Sequence, residues 1–221
     1  MKETPGEIEE KLLKKAYKYI DKIKNISGIE MIGIGNSISM NTAHKKSDID
    51  LFIVTSPKRL WYVRVMLTFF FQIRGQRKTR RKHAGKFCLS FFCTTDWLNF
   101  SKFALEDDIY LYFWILYMKP IVNKNRTYQK FLEANKSWTD YMQFRNTFEK
   151  HKRDILYKET NLGETSKIIT KIDGILKKIF LPKTLKSFQK LWYPFGVKIT
   201  DHMLKFHDQD KRKQIKKDLG F

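Results

Sequence analysis

The chain has 221 residues, of which 42% are hydrophobic and 15% aromatic, and its 44 Lys and Arg residues outnumber its 23 Asp and Glu residues to give a net charge of +21. This much apolar material can form a core, which excludes a disordered or low-complexity protein. The charge favours an anionic partner, either nucleic acid or a lipid surface, although lysines that only solvate helix faces would give the same excess.

The chain shows no pattern typical of export or membrane insertion. The segment Met1–Glu10 is acidic and lacks the basic and then apolar order of a secretory signal. The longest apolar run, Ile109–Met118, has about half the length of a spanning helix, so we predict no transmembrane segment. Cys88 and Cys93 are five positions apart, and this odd spacing predicts that they lie on opposite faces of a strand. We therefore predict no disulfide between them and expect a cytoplasmic protein.

The first predicted elements are a helix and a strand. The segment Thr4–Glu7 has a capping threonine, then proline, then glutamate three positions after the cap, which is typical of a helix start. Apolar residues recur every three or four positions as far as Ile23, which predicts an amphipathic helix. The apolar segment Ile29–Gly35 predicts a strand, and the polar stretch after it predicts a loop that ends at Ser47.

The next predicted elements are an acidic strand, a buried helix and a third strand. Asp48–Val54 has apolar residues between and after two aspartates, as in a strand with acids on one face. Ser56 and Pro57 begin a strongly apolar helix. The basic segment Arg74–Lys86 predicts a loop that either follows a nucleic-acid backbone or is only solvated. Phe87–Cys93 is apolar and β-prone, which predicts the third strand.

Beyond Asn99 the pattern predicts helices and no further strand. The amphipathic stretches lie at about 105–118, 127–157, 165–180 and 184–193. We therefore predict an α/β fold with a small mixed sheet flanked by helices in residues 1–100, and a helical region in residues 101–221 packed on it. The sequence does not indicate an oligomeric state.

Two aspartates are the first candidates for chemistry. Asp48 and Asp50 lie two positions apart, so on a strand both carboxylates leave the same face and can converge on one cation. Oxygen ligands completed by substrate phosphates suit Mg²⁺ or Mn²⁺. The small-residue turn formed by Gly35, Asn36 and Ser37 would let backbone N–H groups approach a triphosphate, and the Ser37 hydroxyl would add a hydrogen bond.

The order of strand, small-residue turn, loop and acidic strand resembles the nucleotidyltransferase signature of the DNA polymerase beta superfamily. Ser47–Val54 is similar to the acidic strand of that signature. The Gly-Ser pair that binds triphosphate in the family falls on Asn36 and Ser37, or begins at Gly35 after a shift of one residue. Asn tolerates the left-handed backbone that such a turn requires. Met40–Val54, Arg59–Trp61 and Phe87–Phe92 also resemble a group of small bacterial nucleotidyltransferase-like proteins, and this resemblance extends more faintly to Phe206–Arg212.

The resemblance implies in-line attack on the α-phosphate of a nucleoside triphosphate, with a metal stabilising the developing charge. It also implies a third carboxylate from a later strand. The predicted strand Phe87–Cys93 contains no acid, and Asp96 is the nearest candidate. By position alone Lys46 is a candidate phosphate ligand. The acceptor stays open between a small molecule, a protein side chain and an RNA end.

Two other interpretations stay open. A catalytically inactive protein with the same fold could bind nucleic acid through its basic surface, which the net charge, Asn36 and the missing third acid favour. A weaker interpretation is a peripheral protein that binds anionic lipid. The segment Phe206–Arg212 is interpreted as a tail that docks the last helix and lies outside the candidate site.

Overall fold

The computed structural model describes residues 4–79, 81–106, 108–139, 157–158, 166–189, 196–207 and 212–218. The helices are α1 (Glu7–Ile20), α2 (Asn36–Ser39), α3 (Leu60–Ile73), α4 (Ile109–Tyr117), α5 (Thr127–Thr139), α6 (Lys167–Gln189) and α7 (Arg212–Asp218). The strands are β1 (Ile29–Ile34), β2 (Ile49–Thr55), β3 (Phe87–Thr94), β4 (Lys119–Asn123), β5 (Tyr157–Lys158), β6 (Val197–Ile199) and β7 (Met203–Phe206).

The strands form one mixed sheet in the order β5-β4-β1-β2-β3-β7-β6. The central strand β2 runs antiparallel to β1 and parallel to β3. Two antiparallel additions extend this centre, β4 beside β1 and β7 beside β3. The predicted fold class, a mixed sheet with helices around it, is therefore confirmed.

The prediction of helices alone beyond Asn99 is wrong. Strands β4, β6 and β7 come from that part of the chain and have only five, three and four residues. Strands this short give too few positions for an alternating pattern to stand out. The parts of the chain before and after residue 100 therefore both contribute strands to the sheet. The division into domains at that position stays a prediction.

The predicted helices of the C-terminal part are found in modified form. The single helix α6 includes residues 167–180 and 184–189 of the stretches 165–180 and 184–193, and it contains Pro182 in its interior. Residues 165 and 190–193 lie outside the described part of the chain. Of the stretch 127–157, α5 accounts for the residues up to Thr139, and residues 140–156 lie outside the described part of the chain. Among the described residues, none of the helices has both the length and the apolar character needed to cross a membrane.

Two apolar cores cover the two faces of the sheet. The first packs α1 and α3 against Leu51 and Ile53 of β2, and the second packs α4 and α5 against Phe52 and Val54. Successive β2 residues thus point alternately into different cores, as expected for a strand buried on both faces. This explains why the residues of Asp48–Val54 that follow the second aspartate are all apolar.

A bulge in β3 changes which face its side chains occupy. Asp50 pairs with Cys88, but Phe52 pairs with Phe91, so β3 has one extra residue at this point. The extra residue reverses the alternation and places Cys93 on the same face as Cys88, which corrects the prediction of opposite faces. Both cysteines are free, so the prediction of no disulfide is confirmed.

A buried ion pair attaches α7 to α4. Asp108 caps α4 by accepting from the backbone N of Leu111 at 3.0 Å, and its other carboxylate oxygen lies 2.8 Å from Arg212 Nη1. The side chains of Arg212 and Asp108 are only 4% and 1% exposed. Arg212 also donates to the carbonyl oxygen of Phe103 at 3.1 Å. The pair therefore holds the end of the described chain against the second core.

We expect the Arg212→Met variant to lower the free energy of unfolding by about 3 kcal/mol, because it leaves the buried Asp108 carboxylate without its charge partner. The matched control is Lys217→Met on the exposed side of α7, which should change it by less than about 0.5 kcal/mol. Urea denaturation measures both. Equal stability of the two variants would contradict the role assigned to Arg212.

Candidate functional site

The two candidate aspartates lie where β2 begins. Asp50 is the second residue of β2, and Asp48 is the residue before the strand. Asp50 therefore lies on the face that continues with Phe52 and Val54 in the second core, and Asp48, two positions earlier, interacts with it electrostatically. The backbone N–H of Gly35 donates to the carbonyl oxygen of Asp50 at 3.1 Å, so the small-residue turn lies directly beside the acidic strand.

The turn is tied to the acidic strand by side chains as well. Asn36 has φ of 56°, in the left-handed region, as the sequence predicted for an asparagine in a glycine position. Its side chain is hydrogen-bonded to Asp50 and accepts from the Tyr110 hydroxyl at 3.0 Å. Ser37 Oγ donates to Ser47 Oγ at 3.3 Å. The structure thus brings Gly35, Asn36 and Ser37 to the aspartates.

Gly35 is required by its contact with α4. A Cβ atom at this position would lie 2.6 Å from Trp114 Nε1. Trp114 is buried in the second core and cannot move aside without repacking its neighbours. The absence of a side chain at Gly35 therefore lets the turn pass closely over α4.

We expect Gly35→Ala to destabilise the protein by about 1–3 kcal/mol, because the added methyl group overpacks against Trp114. Gly174→Ala is the matched control, since a Cβ there meets no atom within 4 Å and alanine favours the helix by up to about 1 kcal/mol. Thermal and urea unfolding of both variants tests this. A neutral Gly35→Ala would show that the turn is not held by this contact.

The basic loop 74–86 supplies a cation to the site. Lys78 Nζ lies 2.6 Å from Asp48 Oδ2. The backbone N of Lys78 also donates to the carbonyl oxygen of Phe87 at 2.8 Å, which anchors this residue beside β3. Burial alone would lower the pKa of Lys78, but Cys88, Asp48 and Asp50 outweigh it and raise that pKa above its ordinary value. Lys78 is therefore a protonated counter-ion of the two aspartates.

The site holds more negative charge than one lysine neutralises. Burial, and then repulsion from Asp48, raise the pKa of Asp50 to about 6. The hydrogen bond from Asn36 and the charge of Lys78 act in the opposite direction without cancelling this rise. A divalent cation beside the two carboxylates would relieve the repulsion.

We expect ¹³C NMR titration of the metal-free chain to give Asp50 a pKa of about 6, against an ordinary value of 3.8. The folded chain then binds this proton more tightly than the unfolded chain does. The contribution of Asp50 to the free energy of unfolding therefore falls as the pH rises from 3.8 through about 6.

Three variants separate the causes of the raised pKa of Asp50. Asp48→Asn should lower the pKa of Asp50 because it removes a like charge, and Lys78→Met should raise it because it removes an opposite charge. Asp96→Asn is the control and should leave it unchanged. If Asp48→Asn had no effect, the two carboxylates would not interact as the geometry requires.

A thiol and an imidazole complete the cluster. Cys88 of β3 is the register partner of Asp50, and His207 is the residue after β7. The Ser90 hydroxyl lies 3.1 Å from Cys88 Sγ and 3.0 Å from His207 Nε2, so it connects the two side chains. Burial, and then the charge of Asp50, raise the pKa of the Cys88 thiol well above its ordinary value.

Asp96 is not brought to this cluster. It follows the far end of β3, where Thr94 pairs with Thr55, whereas Asp50 pairs with Cys88 at the near end. Five residues of extended strand separate Asp50 from Thr55, or about 17 Å. Asp96 instead accepts from the Thr94 hydroxyl and lies 3.4 Å from His202 Nδ1. This placement corrects the prediction, because Asp96 is too distant to share a cation with Asp50.

Lys46 lies in the loop before β2 and is exposed. Its backbone N donates to His44 Nδ1 at 3.1 Å, and Ser47 Oγ accepts from the backbone N of His44 at 3.0 Å. The loop thus has a defined turn that ends beside Ser37. Lys46 therefore stands near the small-residue turn, and its role as a phosphate ligand stays a prediction.

Sequence reasoning missed Lys78, Cys88, Ser90 and His207. The pairing of β3 with β2 was the signal that could have found Cys88, since a residue at the start of β3 must lie beside the start of a parallel β2. His207 gave no such signal, because β7 itself was not predicted. The interpretation of Phe206–Arg212 as a docking tail holds for Arg212, but His207 belongs to the cluster.

Comparisons of the chain with protein-family models, with curated proteins and with solved structures return no match. What the site can do chemically therefore follows from the residues of the cluster and their geometry.

Proposed function

We propose that this chain is a metal-dependent nucleotidyltransferase, which transfers a nucleoside monophosphate from a nucleoside triphosphate to an acceptor. The observation that carries the proposal is the position of Asp48 and Asp50. They interact electrostatically at the start of β2, directly beside the turn of Gly35, Asn36 and Ser37. A carboxylate pair next to a turn that permits close backbone approach is the arrangement that nucleotidyl transfer needs.

The charge of the site fits a divalent cation. Burial, and then the negative charge of Asp48, raise the pKa of Asp50, and the two carboxylates face the single ammonium group of Lys78. Asp48 and Asp50 would hold Mg²⁺ or Mn²⁺, which prefer oxygen ligands and accept phosphate oxygens as the remaining ones. Bound there, the metal would stabilise negative charge on the triphosphate and on the leaving pyrophosphate.

The chain's own residues would bind and orient the triphosphate. The turn lacks bulk at Gly35, and the left-handed Asn36 directs the backbone into α2, so backbone N–H groups can donate to phosphate oxygens. The Ser37 hydroxyl can exchange its 3.3 Å bond to Ser47 for a phosphate oxygen. Lys46 in the loop before β2 and Lys78 beside Asp48 add positive charge.

The loop that supplies Lys78 also favours a polyanionic acceptor. Arg74, Arg77, Arg81 and Lys82 are exposed on this loop. Their charges would attract a phosphate backbone toward the start of β2, and added salt would weaken that attraction. The same surface supports the second candidate function, an inactive protein of this fold that binds nucleic acid.

We expect the chain, incubated with labelled nucleoside triphosphates and Mg²⁺ or Mn²⁺, to transfer label to itself, to RNA or to a small acceptor with release of pyrophosphate. Asp48→Asn and Asp50→Asn should each reduce the rate at least about 100-fold, because they remove charge stabilisation from the reacting phosphate. Asp96→Asn is the matched control and should retain the wild-type rate, since Asp96 lies at the opposite end of the sheet.

The following results together would contradict nucleotidyl transfer and support the second candidate function, binding of nucleic acid. The wild-type chain would show neither transfer nor metal-dependent nucleotide binding. Filter retention would show salt-dependent binding of nucleic acid that is the same in wild type, Asp48→Asn and Asp50→Asn. Substitution of Arg77 and Arg81 by Gln would then weaken that binding and reduce its dependence on salt.

A further inference from the structure

Three side chains with different ligand chemistry meet at one point of the sheet. Asp50, Cys88 and His207 each offer one ligand atom, a carboxylate oxygen, a thiol sulfur and an imidazole nitrogen, and these atoms all lie within 4.8 Å of one another. Cys88 is buried, and Asp50 and His207 are half-buried. The cluster is therefore partly shielded from bulk water and partly accessible to it.

The scaffold under these ligands is rigid. Asp50 and Cys88 are paired in register on the parallel strands β2 and β3, and β7, which leads into His207, pairs with β3 on its other side. The Ser90 hydroxyl bonds to both Cys88 and His207 and fixes their side chains. Ligands supported by neighbouring strands and a shared hydrogen bond are preorganised for metal binding.

We propose that Asp50, Cys88 and His207 form a binding site for a divalent transition metal of the zinc class. Thiolate and imidazole ligands select such metals over Mg²⁺, which prefers oxygen. A tetrahedral metal with bond lengths of 2.0–2.3 Å holds its ligand atoms about 3.3–3.7 Å apart, so side-chain shifts of about 1 Å would close the site. Three protein ligands leave a fourth position for water or a substrate atom.

Lys78 is the internal competitor of this metal. Its ammonium group lies 2.6 Å from Asp48 and interacts electrostatically with Asp50 and Cys88. The side chain is 38% exposed, so it can turn toward solvent when a metal enters. Metal affinity should therefore increase when this charge is removed.

The inference does not rest on nucleotidyl transfer, although Asp50 takes part in both proposals. Cys88 and His207 distinguish the two, because the oxygen ligands of Mg²⁺ do not include them. Metal binding is measured without nucleotide, so failure of this site and failure of the proposed function are separate results.

The test is titration of the reduced, chelator-treated chain with Co²⁺, followed by competition with Zn²⁺. We expect one Co²⁺ per chain, with visible bands of tetrahedral cobalt and a near-ultraviolet thiolate-to-cobalt band, and displacement by Zn²⁺. Cys88→Ala should abolish the thiolate band and weaken binding at least about 10-fold. Cys93→Ala is the matched control and should keep both, because Cys93 lies in the apolar second core away from the cluster.

Two further variants keep the proposal testable if Cys88→Ala does not fold. His207→Gln should weaken Co²⁺ binding at least about 10-fold, while His202→Gln at the opposite end of the sheet should not. Lys78→Met should tighten binding. A wild-type chain that binds Co²⁺ without a thiolate band, or with the same affinity as its His207→Gln variant, would overturn the proposed site.

Discussion

The parallel pairing of β2 with β3 is the constraint on which the candidate site depends. It sets Asp50 opposite Cys88 at one end of the sheet and Thr55 opposite Thr94 at the other. Both strands are buried on two faces, so their register cannot slip without moving apolar side chains out of both cores. The register is therefore fixed by the packing of the whole sheet, and the positions of the site residues follow from it.

The bulge in β3 determines which of its side chains lie on the same face as Asp50. Without the extra residue between the two register segments, Cys88 and Cys93 would lie on opposite faces. With it, Cys93 packs among Phe52 and Val54, and Cys88 stands beside Asp50 on the same face. The strand can thus place polar side chains at its start and apolar side chains along the rest of one face. Bulges commonly redirect side chains next to functional sites.

The charges of the site are balanced only in part, which would favour a cation beside the two carboxylates. Lys78 reaches Asp48 from the basic loop 74–86, and Asp50 keeps a raised pKa through burial and repulsion from Asp48. The ammonium group and a divalent cation would occupy the same region. The two proposals made for the site differ in which ligands hold the cation, oxygen atoms alone or oxygen, sulfur and nitrogen together.

The sequence alone determined the local features of this protein. The spacing of Asp48 and Asp50 placed them on one face, and the composition of Gly35–Ser37 predicted a turn, since both depend on neighbouring residues only. The mixed α/β class followed from the order of the first five predicted elements. What tertiary structure decided was which distant residues meet. Cys88 and His207 join Asp50, and Asp96 does not, because strand order, register and one bulge are set by packing across the sheet and not by any local pattern.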